Sequence, residues 1–209
     1  MEHKLIAQKT FRYQQIGERD KATHLLIVLH GYGQLAEFFI RKFNDLPENY
    51  LVVAPEGMHR FYLNGTSGRV GASWMTKEDR ESDIQDNLNW LNQLLNELKA
   101  KKKFEKIILL GFSQGGATAA RWYFSSKNEF DHLILWASVF PPDLEKPEHS
   151  NNSENYFVIG NQDEYFSTEQ QNQEISFYRN LGFQTRTFEG KHDIDSTNTL
   201  EILNSILDK

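Results

Sequence analysis

The sequence predicts an α/β fold, a mainly parallel twisted sheet with helices on both faces, and three observations carry that expectation. Short apolar runs recur along the 209 residues, segments with helical spacing separate them, and chemically active side chains follow the runs. An apolar run too short for a helix reads as a strand buried on both faces. Strands alternating with helices build parallel sheets. The length suits one domain over residues 1–209, since domains usually run to roughly 100–200 residues.

The elements follow in order. The first twenty residues have strand character with no helix after them, and are expected to add an antiparallel edge. Buried strands are expected at residues 25–29, 51–54, 107–110, 133–137 and 156–159, with a more polar, alternating one at Gln184–Phe188. Helices are expected near 35–45, 114–126, 168–181 and 193–207. The clearest helix carries Ile84, Leu88, Leu91, Leu95 and Leu98 on one face behind an acidic start at Glu81 and Asp83, where the helix dipole favours negative charge. Two stretches, 55–73 and 141–153, are rich in turn formers and read as loops.

Composition removes several function classes. A formal charge of −6 with scattered lysines provides no field for nucleic acid or anionic lipid. The absence of cysteine removes disulfides, thiol nucleophiles and thiolate metal sites. No segment approaches the ~18 apolar residues of a membrane span, and the first residues lack the apolar core of a leader. The expected protein is therefore cytoplasmic, without stable membrane association, and a monomer or small homo-oligomer.

In open α/β sheets ligands bind beyond the carboxyl ends of the strands. Gly111-Phe112-Ser113-Gln114-Gly115 stands at such an end, after a strand and before a helix. This is the setting of a nucleophile elbow, in which a strained turn exposes the serine hydroxyl and flanking glycines let strand and helix close up. A serine needs a base. Of seven histidines, His3 is terminal, His24 and His132 open strands at the wrong edge, and His59 and His149 lie in long polar loops. His30 precedes Gly31 and reads as a buttress. His192 follows the last strand and comes after serine and acid, the chain order this turn demands.

The acid must orient the imidazole and stabilise the imidazolium. Asp143, Asp163 and its neighbour Glu164 compete, and Asp163, three residues after a strand ending in Gly160, is preferred, whereas Asp143 follows two prolines. The developing oxyanion needs two backbone N–H donors. The amide of Gln114, directly after the nucleophile, would be one, and that of Tyr32, in the turn His30-Gly31-Tyr32-Gly33, the other.

With these residues in place, the chain resembles the phospholipase/carboxylesterase family of α/β hydrolases, which includes carboxylesterases and acyl-protein thioesterases. Leu29-His30-Gly31-Tyr32-Gly33, Ala54-Pro55, Ser73-Trp74, Gly111-Phe112-Ser113-Gln114-Gly115-Gly116, Gly160-x-x-Asp163 and Gly190-x-His192 are similar to its motifs and lie in register. The resemblance implies an α/β-hydrolase fold, the same triad and oxyanion amides, and neither metal nor cofactor. Two departures stand out: Glu164-Tyr165-Phe166 after the acid, and the acidic Asp193-Ile194-Asp195 after the histidine.

The expected function is hydrolysis of small-molecule carboxylic esters or thioesters of small to medium acyl groups. Alternatives are a non-catalytic ligand-binding protein on a hydrolase scaffold, and an amidase or peptidase using the same triad. The apolar side chains of the 55–75 segment, Phe61, Tyr62, Trp74 and Met75, are expected to form the substrate wall, with Trp74 read equally as a wall or as an anchor in the core.

Overall fold

A computed structural model of the protein describes residues 1–126, 129–145 and 155–207. Seven strands form the main sheet: β1 (Tyr13–Ile16), β2 (His24–Leu29), β3 (Tyr50–Pro55), β6 (Lys106–Phe112), β7 (His132–Trp136), β8 (Tyr156–Gly160) and β9 (Gln184–Phe188). Between β3 and β6 lie β4 (His59–Tyr62) and β5 (Val70–Ser73), which pair only with each other. The order is β1-β3-β2-β6-β7-β8-β9. β1 runs antiparallel to β3, with Tyr13 opposite Pro55, while the other neighbours are parallel. The edge strand expected from the first twenty residues is therefore present.

Helices cover both faces, which is why β2, β3, β7 and β8 are buried along their whole length. Alternate residues serve opposite faces. Leu25, Ile27 and Leu29 pack with α2 (Arg80–Lys101), α3 (Gln114–Ser125) and α4 (Thr168–Asn180), whereas Leu26 and Val28 pack with α1 (Ala36–Phe39) and α5 (Ser196–Leu207). In α2 the buried Trp90, Leu91, Leu94, Leu95 and Leu98 repeat at helical spacing, and Lys99 and Lys101 complement its carboxyl end. α4 is opened by a capping box in which Ser167 Oγ accepts from the Gln170 amide and Gln170 reaches back to the Ser167 amide.

Three boundaries differ from the sequence expectation. The 35–45 helix is only one turn of α-helix followed by a 3-10 turn at Ile40–Phe43. The last helix starts at Ser196, because Asp195 Oδ1 accepts from the Asn198 amide at 2.7 Å and stops the chain from being helical earlier. The 55–73 segment contains the β4–β5 hairpin rather than an open loop. Of the 141–153 stretch, residues 146–153, including His149, lie outside the described residues. Among the described residues no helix is long and apolar enough to cross a membrane.

Candidate active site

The carboxyl ends of β2, β6, β8 and β9 bring the candidate residues to one edge of the sheet. β6 ends at Phe112, and Ser113 takes φ 53° and ψ −120°, a left-handed conformation that strains a residue with a Cβ by roughly 1–3 kcal/mol. The turn is held by the Ser113 amide donating to Trp136 O at 2.9 Å and the Gly116 amide donating to Ser113 O at 2.9 Å. α3 can start this close to the sheet only because Gly115 has no side chain. A Cβ there would lie 2.4 Å from Leu29 O.

His192 sits in the loop after β9, its ring between those of Phe112 and Tyr165, with centroids 4.9 and 4.5 Å away. Nε2 lies 3.0 Å from Ser113 Oγ, and Nδ1 lies 2.7 Å from Asp163 Oδ2. Asp163 is 3 % exposed. Its Oδ1 accepts from the Tyr165 amide at 3.0 Å, which aims the carboxylate at the ring. The His192 amide donates to Glu164 Oε2 at 3.2 Å. Backbone N–H groups, its own and that of His192, hold the Glu164 carboxyl below the usual range. A neutral imidazole carrying its proton on Nδ1 would donate to Asp163 and accept from Ser113, the arrangement a general base requires.

Asp143 lies elsewhere. Its carboxylate accepts from Arg121 at 2.8 and 2.6 Å and from Arg80 at 2.7 Å, and the Arg121 guanidinium holds its carboxyl below the ordinary range. Arg121 is almost fully buried on α3, so Asp143 is committed to neutralising it.

The turn after β2 leaves one amide unspent. Gly33 N donates to Ala72 O at 2.8 Å and Gly31 N to Gln34 Oε1 at 2.9 Å, whereas Tyr32 N has no acceptor among the described residues. Gln114 N, at the first position of α3, points from a helix amino end, where free N–H groups favour negative charge. The Gln114 side chain ties this helix to the β5 end, its Oε1 accepting from Trp74 N and its Nε2 donating to Met75 O.

His30 is fully buried beneath this turn. Nδ1 donates to Gly31 O at 2.8 Å and Nε2 accepts from Gly57 N at 2.9 Å, a pair of bonds that only the neutral ring can make. Burial pushes its pKa down to about 4. An unfolded histidine takes up its proton near pH ~6.5, so between these values the unfolded chain binds more protons. The contribution is therefore complete above about pH 6.5 and falls by about 3 kcal/mol as pH drops to about 4. Urea melts at both ends of this window should show that loss, and in His30→Gln the loss should shrink. An unchanged pH slope in the variant would assign the effect to other groups.

The structure decides between the two readings of Trp74. Trp74 is fully buried: its ring stacks on Trp90 at 6.5 Å and packs on His30 at 5.0 Å, and Nε1 donates to His30 O at 2.8 Å. It is an anchor in the core. Trp74→Ala should cost ~3–5 kcal/mol in denaturant melts, the usual loss for a large buried ring. Phe61 packs on the Tyr32 ring at 5.1 Å, Tyr62 is 48 % exposed, and the Met75 sulfur lies 3.9 Å from an Arg121 guanidinium nitrogen while its backbone carbonyl accepts from Gln114. None of the four lines the cavity beside Ser113. That cavity has a volume of about 520 Å³ and is lined in part by Ser113, Gln114 and His192. Its walls are Ala117 of α3, Ala137, Ser138 and Val139 after β7, Tyr165 and Phe166, and the α4 side chains Gln170, Gln173 and Glu174. Of these residues the sequence singled out only Tyr165 and Phe166, as a departure from the family's motif, although the Ser167-x-x-Gln170 box marked where α4 begins. Among the described residues no cluster of three histidines or acids is arranged to hold a metal ion.

A family model described as Phospholipase/Carboxylesterase matches residues 14–208. The chain belongs to this family. Solved structures of the same fold include a carboxylesterase from Mesorhizobium loti (TM-score 0.74, 16 % identity, covering 93 % of this chain and 94 % of that one). Another is acyl-protein thioesterase 2 of Zea mays (TM-score 0.70, 16 % identity, 94 % and 99 %). Among curated sequences, the chain is similar to a probable 1-acylglycerol-3-phosphate O-acyltransferase of Oryza sativa subsp. japonica, 29 % identical over 110 residues. The match covers 53 % of this chain and only 24 % of that protein. With the corresponding Arabidopsis thaliana enzyme at 25 %, the chain spans about a quarter of the length of the curated relatives it matches.

Proposed function

We propose that the protein is a cytoplasmic serine hydrolase that cleaves small-molecule carboxylic esters or thioesters through an acyl-Ser113 intermediate, without cofactor or nucleic acid. The observation that supports this reading is the hydrogen-bonded line from Ser113 Oγ to His192 Nε2 at 3.0 Å and from Nδ1 to Asp163 at 2.7 Å, opening onto a cavity. His192 takes the proton as Oγ bonds to the acyl carbon. The amides of Tyr32 and Gln114 receive the oxyanion, commonly the largest single contribution to such catalysis. His192 then protonates the departing alcohol or thiol, and the same residue activates the water that releases the acid.

Small to medium acyl groups suit the cavity better than long aliphatic chains, because Gln170, Gln173 and Glu174 would have to be desolvated against hydrocarbon. Transfer of the acyl group to a 1-acylglycerol-3-phosphate, which the curated relatives' names suggest, would bring a phosphate to a cavity with the carboxylate of Glu174 on its wall. Like charge disfavours that acceptor. A panel of p-nitrophenyl esters and acyl-thioesters of increasing chain length tests the reading. Turnover should peak at short to medium chains; faster release of palmitoyl than of butyryl groups would overturn the size preference.

A further inference from the structure

The cavity beside Ser113 contains one charge that the mechanism does not use. Glu174 lies half-buried on α4, and burial alone pushes its carboxyl up; no cation or hydrogen-bond donor among the described residues offsets that cost. Its neighbours are committed. Gln170 Oε1 accepts from the Ser167 amide at 2.8 Å, and Gln173 Nε2 donates to Glu169 at 3.4 Å. The buried carboxylates among the described residues have partners: Glu56 holds Arg12 and Arg60, and Asp163 holds His192. A partly desolvated carboxylate without a partner is unfavourable in the free protein and becomes favourable when a ligand supplies one.

The rest of the wall narrows the chemistry of that ligand. Tyr165 and Phe166 line the same cavity, with Val139 and Ala117 beside the polar Gln170 and Gln173. Aromatic faces attract cations through the ring quadrupole, and a carboxylate beside aromatic rings is a common way to hold an ammonium or quaternary ammonium group. A fatty acyl tail needs no carboxylate, and an anionic group would be repelled by it.

We infer that Glu174 is a specificity determinant, and that the part of the ester substrate seated in this cavity carries a cationic ammonium group. This rests on the esterase reading above. The group can belong to the acyl part or to the alcohol, and paired isosteres separate the two. One pair is the 2-naphthyl esters of ω-trimethylammonio-alkanoic acids and of the corresponding ω-tert-butyl acids. The other is choline esters against 3,3-dimethylbutyl esters of one acid. In each pair size and shape match while charge differs.

Assayed at about pH 8, well above the ordinary carboxylate range, wild type should favour the cationic member of one pair by about five- to tenfold in kcat/KM. Glu174→Gln should bring that ratio close to one, and Glu174→Lys should invert it. Thermal melts and Ser113 labelling by a fluorophosphonate establish that each variant is folded. A ratio near one in wild type for both pairs, or a ratio that survives Glu174→Gln, would overturn the inference while leaving esterolysis intact. Failure of wild type to hydrolyse any ester, cationic or neutral, with Ser113 unlabelled, would instead remove the esterase reading and the inference with it.

Discussion

Ser113→Ala and His192→Ala should each lower kcat on a p-nitrophenyl ester by a factor on the order of 10⁴–10⁶, and the double variant should be no worse than either alone. The reason is the 3.0 Å contact between Oγ and Nε2. Without the imidazole the hydroxyl keeps its proton and is a poor nucleophile; without the hydroxyl the imidazole has nothing to activate. The two groups act as one unit, so their effects do not multiply. Residual activity would come from the Tyr32 and Gln114 amides, which either substitution leaves in place. A fluorophosphonate should mark wild type once, at Ser113, and neither variant. Multiplicative losses, or an adduct on a different serine, would mean that the two side chains serve separate purposes.

Much of this arrangement is legible in the sequence because it is carried by local patterns. Residues 25–29 read as a fully buried strand because every side chain is apolar, and the structure explains the pattern through helices on both faces. Ser113 is legible because a Gly-x-Ser-x-Gly turn between a strand and a helix has few other uses. Asp163 and His192 follow from the rule that function collects at strand carboxyl ends. The substrate side was not legible, and the cause is long-range packing. Trp74 looks like a free aromatic in a glycine-rich loop; only its stacking on Trp90 and its bond to the His30 carbonyl reveal it as core. The β4–β5 hairpin is short and half polar, without the apolar run that announces a strand. Which face of α4 turns toward Ser113 is set by Tyr178, stacked on Phe157 of β8 with centroids 4.1 Å apart. That contact fixes the face of α4 that meets the sheet, and Glu174, one turn before Tyr178, reaches the cavity.

Asp163→Asn should reduce kcat by about 10⁴ with little change in KM, while Asp143→Asn should leave kcat within about threefold. Asp163 is buried and accepts from His192 Nδ1 at 2.7 Å, so it selects the tautomer that leaves Nε2 free to accept the Ser113 proton. An asparagine is pinned by the same Tyr165 amide, which occupies its one carbonyl oxygen at the Oδ1 position. Its amide nitrogen then faces Nδ1 as a donor. The ring would respond by moving its proton to Nε2, where it blocks rather than accepts the transfer, and the imidazolium formed in the reaction loses its counter-charge. Asp143 does different work, neutralising the buried Arg121 with help from Arg80. Because its carboxylate is 40 % exposed, the substitution should cost on the order of 1 kcal/mol of stability rather than the several expected of a sealed pair. Steady-state kinetics on both variants, with melts to separate folding from chemistry, decide between the two acids. Near-wild-type kcat in Asp163→Asn together with a collapse in Asp143→Asn would transfer the orienting role to Asp143, and would require the loop after β7 to move towards His192 during turnover.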